Sequence, residues 1–492
     1  MTLRKFQMLV DGAWIDAASG RTYESSYPAT GQVWSILPDA DEADADRAVR
    51  AADVAFRSPA WRGLTASARG KLLRRLGDLI AEHAGELAEL ETQDNGKLIR
   101  ETRGQLAYLP EFFHYSAGLA DKLEGSTLPI DKADMFAFTV PEPLGVVAAI
   151  IPWNSPLYLT AIKLAPALAA GNTLVIKPSE HASASILRFA ALVEEAGFPA
   201  GVVNVVTGLG PSAGAALTRH PLVRRIAFTG GPSTARHVIK ASAENFAKLS
   251  LELGGKSANI VFDDADLESA VNGAVAGIYA ASGQSCVAGS RLLVQDGIYD
   301  RFVAALTERM GRIRIGDPLD PNSDMGPMAT EQQLSIVESM VARAREEGAA
   351  VLAGGRRYAA SEGWYYEPTL LACDSDQLDV VQNEVFGPVA AIMRFSDDAE
   401  ALALANGTEY ALAAGIWTRD IGRAHRFARD IHAGIVWVNT YRAVSAMAPI
   451  GGFGASGYGR EGGIHAVLDY TELKTVWVNL SEQPMGDPFV MR

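Results

Sequence analysis

VVAAIIPWNSPLYLTAIKLAPALAAGNTLVIKPSE (residues 146–180) decides the fold. Val146 to Ile151 is an apolar run without a polar member, the mark of a strand covered on both faces. Leu157 to Ala170 reads as a helix stopped by Gly171, and Thr173 to Lys177 as the next strand. The alternation continues. Ala182 to Ala196 is a helix stopped by Gly197, and Val202 to Val206 a strand followed by a short helix from Ser212. Arg224 to Phe228 is a strand followed by a helix from about Ser233. Such βα units predict a parallel sheet with helices on both faces, and ligands at the carboxyl ends of its strands.

Outward from this core, Met8 to Trp14 reads as strand, Asp-Gly turn, strand. Ala66 to Glu91 carries apolar residues at helical spacing and ends near Asn95-Gly96. A second α/β segment follows, with strands at Ala258 to Phe262, Arg291 to Gln295, Val389 to Phe395 and Gly434 to Val438, and helices at Leu267 to Ile278 and Tyr299 to Met310. From about Asp469 the chain returns to strand-like alternation, Thr475 to Leu480. At 492 residues, two or more large domains are expected.

The formal net charge of -14 makes nucleic acid and anionic membrane poor partners. Two cysteines, Cys286 and Cys373, are too few for a disulfide framework and fit a reduced, cytoplasmic protein. Met1 to Val10 contains no apolar signal core, and the apolar stretch near Val146 is too short to span a bilayer. Scattered histidines and two distant cysteines leave no metal site.

Two glycine motifs mislead. Gly452 to Gly457 matches G-x-G-x-x-G, yet no strand runs directly into it and the acidic partner is missing. Gly254-Gly255-Lys256-Ser257 resembles the end of a P-loop, but Ser250 stands where its first glycine belongs. The better cofactor signals are Lys177-Pro-Ser-Glu180, whose ends suit ribose hydroxyls, and Thr229-Gly230-Gly231, which opens a helix whose free N–H groups suit a pyrophosphate. By themselves both are equally well read as ordinary turns. Gly208 to Gly214 is a third such turn, chiefly a packing element.

Cys286 lies in a small-residue loop, Ser282 to Ser290, that exposes a thiol for attack, whereas Cys373 sits in an apolar run and reads as inert. Glu252 closes a strand-like run and could take a proton from thiol or water; alone it would pass for an exposed strand-end glutamate.

Taken together, Ile151-Pro-Trp-Asn154, Lys177-Pro-Ser-Glu180, Phe228-Thr-Gly230, Leu251-Glu-Leu-Gly-Gly-Lys256, Gly283-Gln-Ser-Cys286, Glu384-Val-Phe-Gly-Pro388 and Pro449-Ile-Gly-Gly-Phe453 resemble the aldehyde dehydrogenase superfamily, in its order and spacing, over nearly the whole chain. The resemblance implies an α/β fold: a Rossmann-like cofactor domain (1–122 and 143–253), an α/β catalytic domain (254–468) and a small β oligomerisation element (123–142 and 469–492). It implies oxidation of an aldehyde to the acid, with Cys286 as nucleophile, Glu252 as base and the Asn154 amide with the Cys286 N–H as oxyanion hole. Lys177 and Glu180 would hold the adenosine ribose and Glu384 the nicotinamide ribose, beside Phe386; Trp153 and Gly230 shape the cleft, and Ile151, Gly210, Gly214, Phe228, Thr229 and Leu253 complete it. Glu461 matches a position proposed to relay protons. NAD is favoured because Glu180 repels a 2′-phosphate, with NADP left open by Lys177, and a homodimer or homotetramer is expected.

The chain departs from the family in places. Gly231 replaces a frequent serine, and Ser155, Leu159, Ile162, Val287, Val444 and Ile450 form the tunnel, several where relatives carry aromatic residues. The expected substrate is therefore a bulky apolar aldehyde (aromatic, terpenoid or medium-chain). Arg442 reads as a solvated arginine, with a substrate carboxylate as the alternative. The rival functions are a CoA-acylating semialdehyde dehydrogenase, which usually lacks the Glu252 carboxylate, a catalytically silent binding protein, and a thioester or ester hydrolase. Bulky aldehydes should exceed acetaldehyde in kcat/KM; acetaldehyde leading an aldehyde panel would defeat the tunnel reading.

Overall fold

The computed structural model describes residues 3–490. Its largest sheet has eight strands, of which Val146–Ile151, Thr173–Pro178, Val203–Val205, Val223–Thr229 and Lys248–Glu252 run parallel. From Val146–Ile151 the chain steps twice to one side, then returns to the other side with Val223–Thr229. Between these two strands the order reverses, and a crevice opens beyond their carboxyl ends. The helix Pro156–Ala170 begins with proline in its first turn and ends at Gly171 in a left-handed conformation (φ 97°). Nearly all of its residues are buried, because it lies between this sheet and a helical layer.

A seven-stranded sheet, parallel except for the edge strand Ala350–Ala353, contains Ala258–Val261, Arg291–Gln295, Val389–Phe395, Ala413–Trp417 and Ile435–Val438. A separate three-stranded sheet is antiparallel: Thr471–Asn479 pairs along its whole length with Met135–Pro143, which also pairs with Thr127–Leu128. No helix of the described residues is long and apolar enough to cross a membrane.

Several elements differ from the sequence expectation. The helix expected over Ala66 to Glu91 is two helices, Ala66–Glu82 and Ala84–Asn95, broken at His83 (φ -104°, ψ 11°). Ile80 and Leu87 are both buried, and their seven-residue separation continues the apolar period across the break and hides it. Ser212 lies inside a wide turn, Gly210–Gly214, and the helix proper is Ala215–Arg219. The last strand starts at Thr471, before the alternation becomes regular. The longest helix, Ile99–Leu119, escapes the sequence reading because it carries Gly104 and an interior Pro110.

The junction between the two large sheets is tied by Arg291. Its buried guanidinium donates to the carbonyl oxygens of Lys256 (2.7 Å), Leu404 (2.6 Å) and Ala405 (2.7 Å). Arg291→Ala strands the buried carbonyls of Lys256 and Ala405, at about 1–3 kcal/mol each, while Leu404 keeps the Gly407 N–H. The thermal midpoint should fall by several degrees; an unchanged midpoint would mean that the junction holds without this residue.

Candidate active site

A cavity of about 910 Å³ opens where the carboxyl ends of the first sheet face the amino ends of strands in the second. The volume suits a cofactor end together with a small substrate. From the first sheet come Trp153 and Asn154, Thr229 and Gly230, then Glu252 to Gly254, each at or just beyond a strand end. From the second come Cys286, ahead of Arg291–Gln295, and Glu384, ahead of Val389–Phe395. The strand-end rule thus holds for one wall only.

Cys286 is half-buried, and its loop is rigidly built. Ala281 and Ser282 both take the left-handed conformation (φ 53° each), ahead of Gly283 (φ 72°), a costly arrangement that surrounding contacts must impose. The Ala281 N–H donates to Glu101 Oε1 (2.8 Å), the Ser282 hydroxyl to the Gly326 carbonyl (2.8 Å), and Gln284 Oε1 accepts from the Ala329 N–H (2.8 Å). The small-residue loop is thus held at several points along its length. Asn154 donates one amide hydrogen to the Gln284 carbonyl (3.1 Å), which leaves its second hydrogen for the cavity. Burial pushes the Cys286 thiol up to about 12, helped by Glu384 and Glu252 and opposed by Arg442.

Glu252 is buried, unlike the exposed strand-end residue considered from sequence, and its Oε1 has no hydrogen-bond partner. Burial, then the nearby Glu461, raise its carboxyl well above the ordinary range, against Lys163 and Arg460. Glu461 is itself paired with fully buried Lys163. The hairpin from Gly452 to Gly459 flanks this carboxylate: Gly457 pairs with Glu252 and Tyr458 with Leu251. The misleading glycine motif is therefore a strand partner, and an ideal Cβ at Gly457 would stand 1.9 Å from the Leu251 carbonyl.

Glu384 accepts the Gly255 N–H at 3.0 Å, and burial raises its carboxyl to about 7. Phe386, itself left-handed (φ 53°), meets Trp153 edge-on at 5.3 Å. Of the sequence-derived cofactor residues, Trp153, Thr229, Gly230, Leu253, Glu384 and Phe386 line the cavity. Ile151 and Phe228 are buried behind it. Lys177 and Glu180 lie apart, paired at 3.4 Å; burial lowers the lysine, and Lys177 holds Glu180 low despite burial. Gly214 packs over Lys177 (3.8 Å from an ideal Cβ to Cδ), while Gly210 faces open space.

All six tunnel residues expected from sequence line the cavity. The walls are less aliphatic than expected, because Tyr108, Tyr158 and Trp437 line them too. Tyr158 stands one helical turn after Asn154, a spacing that could have revealed it. Lys97, Glu101 and Gln105 were also missed, and Lys97 donates to Ser155 Oγ (2.6 Å) and Gln105 Oε1 (3.0 Å).

The residues present fit a nicotinamide dinucleotide. Thr229 Oγ1 is buried without a partner, and Gly230 has no side chain to fill the cleft; an ideal Cβ there would meet the Phe228 ring at 2.6 Å.

A sequence profile described as "Aldehyde dehydrogenase family" matches residues 14–476. A curated relative from Acinetobacter baylyi, (Z)-2-((N-methylformamido)methylene)-5-hydroxybutyrolactone dehydrogenase, is 53% identical over 100% of both chains. Hydroxyisobutyraldehyde dehydrogenase of Mycolicibacterium austroafricanum is 43% identical, covering 97% of this chain and 94% of its own. The crystal structure of PnpE, from a Pseudomonas species, in complex with nicotinamide adenine dinucleotide superposes with a TM-score of 0.96 at 47% identity, covering 98% of this chain and 99% of that one.

Gly451→Ala tests how the Glu252 carboxylate is seated. An ideal Cβ there stands 2.9 Å from Glu252 Oε1 and 2.7 Å from the Gly459 carbonyl, at a φ of +153°. Displacing the carboxylate should lower kcat by about 10²-fold or more; kcat within twofold of the parent would mean the seat tolerates the methyl group.

Proposed function

This chain belongs to the aldehyde dehydrogenase family and oxidises aldehydes to carboxylic acids with NAD(P), and on that premise we propose that Cys286 is its nucleophile, Glu252 its general base and Asn154 its oxyanion donor. The observation that carries this reading is the meeting of a thiol, a buried carboxylate with a free oxygen and an amide with a spare hydrogen in one cavity.

Glu252 takes the thiol proton, and the sulfur forms a bond to the aldehyde carbon. Negative charge moves to the carbonyl oxygen, where the second Asn154 hydrogen and the Cys286 N–H donate; one such donor is worth about 3 kcal/mol. A bound nicotinamide supplies the hydride acceptor that converts this adduct to a thioester. Glu252 passes its first proton on through Glu461 and then takes a proton from water; the new hydroxide attacks the thioester carbon, and the carbon–sulfur bond breaks to release the acid and the sulfur, which regains a proton. A carboxyl raised by burial is the stronger base for both proton transfers. Glu461, held by Lys163, stands close enough to raise Glu252 and offers the proton its next stop.

Lys177 and Glu180 hold the adenosine ribose, Thr229 and Gly230 face the pyrophosphate, and Glu384 grips the nicotinamide ribose beside Phe386. Glu180 makes NAD the preferred form. The tunnel takes a bulky aldehyde with an apolar body, and the relative named for a substituted hydroxylactone supports the bulk. Leu473, Trp477 and Leu480 expose apolar surface on and beside the last strand, which suits cover by a second copy in a homo-oligomer. Two free cysteines suit a reducing cytoplasm.

Glu252→Gln should lower steady-state NADH formation about 10²–10⁴-fold and leave an acyl group on Cys286, read by mass spectrometry. A base acts only when ionised, so parental kcat/KM should rise with pH through the raised Glu252 value, and the variant should lose that limb. An undiminished rate in Glu252→Gln, or acyl-CoA as the product whenever CoA is present, would refute hydrolysis by this residue.

A further inference from the structure

Arg442 lines the same cavity as Cys286 and forms no ion pair among the described residues. Its one protein hydrogen bond is from Nη1 to the Ala276 carbonyl, at 3.1 Å. A surface arginine in this state would simply be solvated. Three observations set this one apart.

The first is its backbone. Arg442 is left-handed (φ 61°), as is Asn439 (φ 52°), an arrangement that persists only where neighbours impose it. The second is its anchoring. The Tyr441 hydroxyl donates to the Val287 carbonyl (3.0 Å), and the Trp437 indole N–H to the Ala443 carbonyl (2.9 Å). The arginine is thereby fastened to the residue that follows the nucleophile.

The third is the balance of charge. Lys97, the other cation of this wall, is buried, feels Glu91 and Glu101, and already donates to Ser155 and Gln105. Glu101 accepts the Ala281 N–H through Oε1, and its Oε2 is buried without a partner. Lys163 is paired with Glu461. Glu252 and Glu384 lie deeper, and burial raises both toward the neutral form. Arg442 is the cation left with no counter-charge. It also pulls the Cys286 thiol down and disfavours charge on Lys97, so its field reaches into the cavity.

We infer that Arg442 is a specificity-determining residue that binds a carboxylate at the far end of the substrate, so that the preferred substrates are carboxy-aldehydes (semialdehydes) with an apolar body between the two groups. The inference rests on the reading of Cys286 as the nucleophile. A guanidinium offers a planar pair of donors to such a group, and the half-buried setting weakens screening by salt.

The test compares 4-carboxybenzaldehyde with its methyl ester, which keeps the body and removes the charge. The wild-type enzyme should favour the acid by about tenfold or more in kcat/KM, mainly through KM. Arg442→Gln should bring the ratio near one, Arg442→Lys should restore part of it, and Arg442→Glu should favour a 4-trimethylammonio-benzaldehyde. Inhibition of the wild-type enzyme by terephthalate and by its monomethyl ester reads the same ion pair without any substitution, and the dianion should bind about tenfold tighter. Equal kcat/KM for acid and ester in the wild type, equal inhibition constants, or a preference retained in Arg442→Gln would overturn the inference alone. Failure to oxidise either aldehyde would overturn the Cys286 reading, and the inference with it.

Discussion

At position 254 an ideal Cβ would stand 2.0 Å from Glu384 Oε2, and at position 255 another would stand 2.6 Å from the Cys286 carbonyl. The chain crosses from the first sheet to the second at these two glycines, directly after Glu252. Their missing side chains let the Glu384 carboxylate from one loop and the Cys286 backbone from another close on the end of the strand that carries Glu252. The Gly255 N–H also fixes Glu384. Every distance in the site depends on this close crossing, and Arg291 locks it by gripping the carbonyl of the next residue, Lys256.

The electrostatics follow from the same crowding. Dry walls raise the Cys286 thiol, the Glu252 carboxyl and the Glu384 carboxyl, and the two carboxylates push the thiol up further. A buried carboxyl that is reluctant to ionise is a strong base once it does. A thiol raised by burial rests protonated, and a protonated thiol is a poor target for stray oxidation or alkylation.

Much of this was legible in the sequence. Val146 to Ile151 and the units after it announced a parallel sheet, because apolar runs bounded by glycine and proline leave few alternatives. Cys286, Glu252 and Asn154 stood out through the strings around them. What escaped depends on contacts distant along the chain. Arg291 looks like any arginine at a strand start until three carbonyls converge on it. Lys97 and Gln105 belong to segments with no local signal, and only the long helix carries Gln105 and Tyr108 to the cavity. The left-handed Ala281 and Ser282 were illegible because neither residue type favours that conformation. The His83 break was masked by an apolar period that ran on undisturbed.

The strand that carries Glu252 takes its outer partner from Gly457 and Tyr458, and the Glu461 that pairs with Lys163 follows at once. These residues lie near the far end of 492. On the ribosome, Cys286 and Glu252 are therefore both polymerised before the hairpin that pairs with the Glu252 strand, and this wall of the cavity closes only once that hairpin has been made.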